Sequence, residues 1–203
     1  MKIICIGRNY SDHAKEMKAD LPTEPLFFMK PDVALLKDNA DFYIPDFTHD
    51  LHYECELVLK IDKVGKNIAE KFASKYYSSI GLGIDFTARD LQQQCKEKGL
   101  PWEIAKSFEH SAPISTKFIK LDALKSREIM FELTKNGETV QQGNSNQMIF
   151  SFDRLIAYIS RFMTLKTGDL IFTGTPAGVG PVKIGDCLEG FIHGEKMFSF
   201  HIK

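Results

Sequence analysis

Tyr53-Glu54-Cys55-Glu56-Leu57-Val58-Leu59-Lys60-Ile61 is the stretch from which the fold is read. Its alternation at every second residue places Tyr53, Cys55, Leu57, Leu59 and Ile61 on one face, a core face for a sheet. The opposite face carries His52, Glu54 and Glu56, so two carboxylates project side by side about 7 Å apart along the strand. Like charges at that spacing raise each other's energy unless water screens them or a cation lies between them. Alone, a Glu-x-Glu is most often the solvated face of an edge strand. The rest of the chain decides between that and a cation site.

Working outward, Tyr77 to Ile84 is an apolar, glycine-bearing strand that ends on Asp85. Its glycines mark close approach of a neighbour and not a phosphate loop, since no Gly-Lys-Ser/Thr follows. Lys2–Ile6, Leu26–Met29, Phe42–Pro45 and Leu170–Phe172 have the same apolar, strand-like character. Asn136-Gly137 between Ile129–Thr134 and Thr139–Gly143 is a strong hairpin signal, and Cys187–Ile202 folds back around His193-Gly194. Helices are fewer. Asn9 or Ser11 can cap a helix of about two turns through Met17, which Pro22 and Pro25 keep short. Thr87 with Asp90 predicts a capping box for a helix that Gly99 and Pro101 end. Asp153 to Thr164 is amphipathic, with Leu155, Ile156, Ile159, Phe162 and Met163 on its buried side. Many strands and few short helices predict an α+β fold, mainly β, and with no linker or repeat the whole 1–203 span reads as one domain.

The 203 residues are 43% hydrophobic and 26% charged, ordinary globular values that exclude a disordered chain. A net charge of -1 gives no electrostatic case for nucleic acid or an anionic membrane, and no apolar run reaches the ~20 residues of a membrane span. Cys5, Cys55, Cys95 and Cys187 are scattered, without ligand or framework spacing, and read as reduced thiols of a cytoplasmic protein.

Four further features carry possible chemistry. His13 and Glu16 stand at i and i+3, an ordinary surface pair or a carboxylate-oriented general base. Arg89 in the first turn of its helix opposes the helix dipole and should have an anionic partner. Lys106 sits in an apolar run, either snorkelling to the surface or pointing into a site. The Thr173-Gly174-Thr175-Pro176-Ala177-Gly178-Val179-Gly180-Pro181 loop is a tight turn that can bring backbone and hydroxyls close to a ligand. Glu54, Glu56 and Asp85 together offer three hard oxygen ligands, suited to Mg²⁺ or Mn²⁺ and not to zinc. From the residues alone, the reading is a metal-assisted enzyme acting on a small, oxygen-rich anion.

The motifs Gly7-Arg8-Asn9-Tyr10, Phe28-Met29-Lys30-Pro31, His52-Tyr53-Glu54-Cys55-Glu56-Leu57, Asp85-Phe86-Thr87-Ala88-Arg89-Asp90, Lys98-Gly99-Leu100-Pro101-Trp102 and Ala105-Lys106-Ser107-Phe108 follow one another in order, ahead of the Thr173–Pro181 loop. In this the chain resembles the fumarylacetoacetate hydrolase family, in particular its small acylpyruvase/oxaloacetate decarboxylase branch, over nearly its whole length. The resemblance implies a mixed β-roll or barrel with a few short helices, a homodimer, and one divalent metal per subunit on Glu54, Glu56 and Asp85. It implies His13 and Glu16 as a catalytic pair with Lys106, on a short helix that orders over substrate, and Arg8, Lys30, Arg89, Gln92 and Thr175 as substrate-binding residues. Cys55 departs from the small or aliphatic residue expected between the two glutamates; its side chain belongs to the core face.

The implied activity is Mg²⁺-dependent (or Mn²⁺-dependent) cleavage of the C–C bond of 3-acylpyruvates such as acetylpyruvate or fumarylpyruvate, with decarboxylation of oxaloacetate to pyruvate. The expected ligand is a small anionic 2-oxo acid, with no nucleic acid and no membrane. Isomerisation or decarboxylation of 2-hydroxyhepta-2,4-diene-1,7-dioate-type substrates is the alternative within the family. A metal-dependent binding protein without catalysis is the alternative outside it.

Overall fold

The computed structural model describes residues 1–16, 20–124, 126 and 128–203. The long apolar strands assemble a six-stranded mixed sheet in the order Leu26–Lys30, Ile3–Gly7, Leu170–Phe172, Cys55–Ile61, Tyr77–Ile84, Ile119–Lys120. Ile3–Gly7 runs parallel to Leu170–Phe172, and every other pairing in this sheet is antiparallel. The two turn-marked hairpins form a second, antiparallel sheet of four strands, Glu138–Asn144, Met130–Lys135, Cys187–Ile192 and Glu195–His201. Asn136 and Gly137 have φ of 56° and 84°, and His193 and Gly194 have 49° and 78°. Positive φ at both central residues is what the two-residue hairpin turn with matching twist requires. Small two- and three-stranded sheets complete an open, mostly β fold; among the described residues none of the four sheets closes into a barrel.

The main core lies between the two large sheets, where Leu57, Leu59, Ile61, Leu82, Leu133 and Phe200 pack together. A second cluster covers the other face of the six-stranded sheet with Cys5, Val58, Ile114, Leu170 and Phe172. The central strand is therefore covered on both faces, and Glu54 and Glu56 are buried, not solvated. No helix among the described residues is long and apolar enough to cross a membrane.

Several local expectations differ from the structure, each because tertiary contacts override local propensity. Thr87 and Ala88 form a short strand against Leu51–Tyr53, so the helix starts at Arg89 without a side-chain cap. Thr87 donates its hydroxyl to the Asp85 carbonyl, and Asp90 accepts from Thr48 and His49. Asn9 caps no helix: its side chain bonds the Phe150 backbone and the Thr173 carbonyl. The first helix spans Ser11–Glu16; its expected extension to Met17 lies outside the described residues. Phe42 makes only an isolated bridge to Ile202 instead of a strand. The last helix is Phe152–Phe162, capped by Ser151, and Phe162 is 56% exposed on its outer side. Gly99 does end the middle helix, in the left-handed conformation.

Candidate active site and cation centre

Register creates the centre of the site. The antiparallel pairing sets Cys55 opposite Ile84 and Glu56 opposite Gly83, so the chain arrives at Glu54 just across from Asp85. Glu54 lies where the chain leaves the strand Leu51–Tyr53 of the three-stranded sheet and enters the six-stranded one. The Asp85 amide donates to the Glu54 carbonyl at 2.8 Å and fixes that crossing. One carboxylate oxygen from each of Glu54, Glu56 and Asp85 lies within 4.8 Å of the others. All three side chains are buried, at the floor of a cavity of about 390 Å³.

Three cations face this triad. Lys106 is delivered by the short helix Glu103–Lys106 and donates to Glu54 Oε2 at 2.8 Å and Asp85 Oδ2 at 2.7 Å. Its side chain is 3% exposed, so it does not snorkel. Arg89 donates to Glu54 Oε1 at 2.7 Å and to Gln92 Oε1 at 2.8 Å. The anion expected for this helix-start arginine is thus Glu54 itself. Lys30 is wholly buried beneath the triad, 2.8 Å from Asp85 Oδ1, and bonds the carbonyls of Phe86, Lys106 and Ser111 and the Ser111 hydroxyl.

Burial pushes the Glu54 carboxyl up, but the Lys106 ammonium and the Arg89 guanidinium outweigh it and hold the group well below the ordinary carboxylate range. Among the described residues Glu56 has no such cation in contact. Burial first, then the charges of Asp85 and Glu54, raise it far above the ordinary range, opposed by the hydrogen bond from the Gly174 amide at 2.7 Å. Burial disfavours the Lys106 ammonium, yet Asp85 and Glu54 more than restore it.

The donor set fits a divalent cation. Asp85 Oδ1 is buried and, among the described residues, accepts no hydrogen bond of good geometry, although Lys30 Nζ lies 2.8 Å away. A buried charged oxygen with a free lone pair calls for an explanation, and an ion is one. Three carboxylates that repel one another and raise Glu56 supply the hard oxygen donors of Mg²⁺ or Mn²⁺.

The remaining predicted residues are distributed around this floor. His13 and Thr175 line the cavity, with Arg8, Arg89 and Gln92. His13 Nδ1 lies 3.1 Å from Glu16 Oε2, and Glu16 Oε1 accepts from the Gly178 amide at 3.1 Å. The helix bearing the pair is thereby tied to the Thr173–Pro181 loop. Thr175 donates to the Cys55 carbonyl and accepts from Gln141, which keeps its hydroxyl at the cavity wall. Lys30 lies under the site and not on its wall, so it reaches the cavity only through Asp85.

Sequence reasoning missed Gln141, which accepts from the Cys55 amide and donates to Thr175 Oγ1 and the Pro176 carbonyl. It also missed Asn9 as the anchor of the loop. A Cβ at Gly174, φ 102°, would stand 2.6 Å from the Asn9 Cβ, so the glycine there had a physical signal only in three dimensions.

A buried acidic centre faced by lysines, with a His–Glu pair at the cavity wall, on an open mixed β fold, defines an enzyme with a cation-competent active site. The fumarylacetoacetate (FAA) hydrolase C-terminal model matches residues 2–198, and the chain belongs to the fumarylacetoacetate hydrolase family. It is 42% identical over 201 residues to a mitochondrial oxaloacetate tautomerase of Bos taurus, covering 99% of this chain and 91% of that protein. It is 45% identical over 195 residues to a mitochondrial oxaloacetate decarboxylase of Dictyostelium discoideum, covering 95% and 89%. Among solved structures, fumarylpyruvate hydrolase from Pseudomonas aeruginosa in complex with Mn²⁺ and pyruvate superimposes with a TM-score of 0.93 at 38% identity, covering 100% of this chain and 89% of that one.

Proposed function

We propose that the protein is a divalent-cation-dependent enzyme that cleaves the C–C bond of 3-acylpyruvates and also decarboxylates oxaloacetate. The observation that carries this reading is the convergence of Glu54, Glu56 and Asp85 within 4.8 Å, under a cavity that His13 overlooks. The similar proteins, named for oxaloacetate and fumarylpyruvate chemistry, support the same substrate class.

Glu54, Glu56 and Asp85 would hold Mg²⁺ or Mn²⁺. Such an ion supplies fixed positive charge that polarises a 2-oxo carboxylate and offsets the negative charge of bond breaking. Arg89 and Arg8 bind carboxylate oxygens, Gln92 holds Arg89 in place, and the Thr175 hydroxyl contacts the 2-oxo acid. Lys30 acts from below by orienting the Asp85 carboxylate. Glu16 accepts the Nδ1 proton of His13, which leaves Nε2 free to take a proton from water. The hydroxide oxygen bonds the distal acyl carbon, the C–C bond breaks, and its electron pair stays with the pyruvate carbon. Lys106 faces the developing charge. The proton taken by His13 returns to that carbon, giving pyruvate and a carboxylic acid. Oxaloacetate loses CO₂ through the same carbanionic stage without an attacking water.

The same reading takes a homodimer, the assembly implied by the resemblance. The four free thiols support a reducing compartment, the cytoplasm or, as the two relatives are named, the mitochondrion. The test assays chelator-treated protein on acetylpyruvate, fumarylpyruvate and oxaloacetate, with and without added Mg²⁺, for wild type and His13→Ala. Metal-dependent loss of an acylpyruvate and of oxaloacetate is expected, with His13→Ala lowering hydrolysis about 10²-fold or more and decarboxylation less. Full activity without metal, or equal losses in the two reactions, refutes the assigned roles.

A further inference from the structure

The helix Arg89–Lys98 turns Arg89, Gln92, Gln93 and Lys96 to the cavity. Their spacing, i, i+3, i+4 and i+7, is one helical face. The stripe therefore runs about 10 Å along the axis at ~1.5 Å per residue. Its inner end is occupied, since Arg89 bonds Glu54 and Gln92. Its outer end is not. Among the described residues Lys96 has no carboxylate within ion-pair distance; its ammonium stands 5.8 Å from the centroid of Trp102, which also lines the cavity.

Arg8 reaches the same cavity and likewise has no ion-pair partner among the described residues. Its φ of 58° is a left-handed conformation that a long side chain rarely adopts, and the fold holds it there. Beyond the triad, the only carboxylate lining the cavity among the described residues is Asp20, which pairs with neither. Partial desolvation of this exposed side chain, and then the charges of Arg89 and Arg8, lower the Lys96 ammonium from its ordinary value, opposed by Glu54. Uncompensated positive charge at the outer end of a polar stripe is complementary to an anion.

We infer that Lys96, with Arg8, is a distal carboxylate clamp that selects 2-oxo acids bearing a second carboxylate several carbons from the first. This rests on the proposed function, which puts the 2-oxo acid end at the triad. A four-carbon dianion ends near Arg89. A six-carbon chain sets its terminal carboxyl carbons about 6 Å apart, from ~1.5 Å bonds and tetrahedral angles. That length carries the second carboxylate outward along the stripe, to where the long Lys96 and Arg8 side chains meet it.

The test uses calorimetric titration of the full chain loaded with Mg²⁺. The probes are 2-oxoadipate and 2-oxohexanoate, equal in length and different by one carboxylate, and the proteins are wild type, K96Q and K96R. Because Lys96 is exposed, wild type should bind the dioate about fivefold tighter than the monoacid. K96Q should reduce that ratio to about twofold or less with the monoacid affinity unchanged, and K96R should keep it. An unchanged ratio in K96Q, or equal binding of the two acids by wild type, overturns the clamp and leaves the proposed function standing. If neither acid binds to loaded wild type, the 2-oxo acid reading fails and the clamp with it.

Discussion

Replacing Lys30 by Met is the sharpest probe of how the site is held together. The side chains of Lys30 and Asp85 are 0% and 2% exposed, and the ammonium also satisfies three carbonyls and the Ser111 hydroxyl. Methionine keeps most of the volume, so the change removes charge and hydrogen bonds while filling the space. Removing one partner of a buried ion pair is destabilising by about 3–5 kcal/mol, because the other charge stays buried without compensation. At roughly 2–4 °C per kcal/mol for a chain of this size, the melting temperature in chelator should fall by about 6–20 °C. The assay is thermal unfolding of both proteins near pH 7.5, with chelator and then with saturating Mg²⁺. Asp85 keeps Lys106 on Oδ2 but loses Lys30 beside Oδ1 in the variant, so Mg²⁺ should raise the melting temperature more in Lys30→Met than in wild type. A fall below about 3 °C, or an equal response to Mg²⁺, would show that Lys30 packs and does not balance the Asp85 charge.

Two further outcomes follow from the same geometry. Because the folded-state value of Glu56 is raised above its ordinary 4.5, its contribution to stability is full below that value and is lost as pH rises through the folded one. Glu56→Gln should therefore flatten the decline of apo melting temperature as pH rises above the ordinary carboxylate range and abolish the Mg²⁺-induced rise; an unchanged slope would contradict the burial argument. Gly83→Ala would set a Cβ 2.6 Å from the Phe172 ring and 2.9 Å from the Pro113 carbonyl oxygen. Overpacking against backbone should destabilise by about 1–3 kcal/mol, read as a lower urea midpoint at constant m-value, and an unshifted midpoint would refute it.

The parts of the site that sequence makes legible are those with a local signature. The Glu54/Glu56 pair followed from strand alternation and Asp85 from the end of an apolar run, and the structure joins all three. Asn136-Gly137 and Gly99 were legible because positive φ selects few residues. What escaped depends on contacts across the chain. Gln141 meets Cys55 and Asn9 meets Phe150 at separations of 86 and 141 residues, and neither interaction leaves a local trace. Thr87 misled for the same reason: its capping pattern was sound locally, but pairing with His52 drew it into a strand. Lys106 could not be separated from a surface lysine until the triad was assembled around it.

The gathering of Glu54, Glu56 and Asp85 with Lys106, Lys30 and Arg89 in one buried cluster also has a thermodynamic consequence. With every group ionised, the three acids and three bases cancel, and with Glu56 protonated the cluster is slightly positive. On the proposed function, a divalent cation bound there would displace any proton on Glu56 and leave an excess of two positive charges, which a dianionic substrate would neutralise. Ion and substrate affinities would then be reciprocally linked, each raising the other by the same factor. Ion and substrate of the proposed reaction would then enter together as a neutral salt.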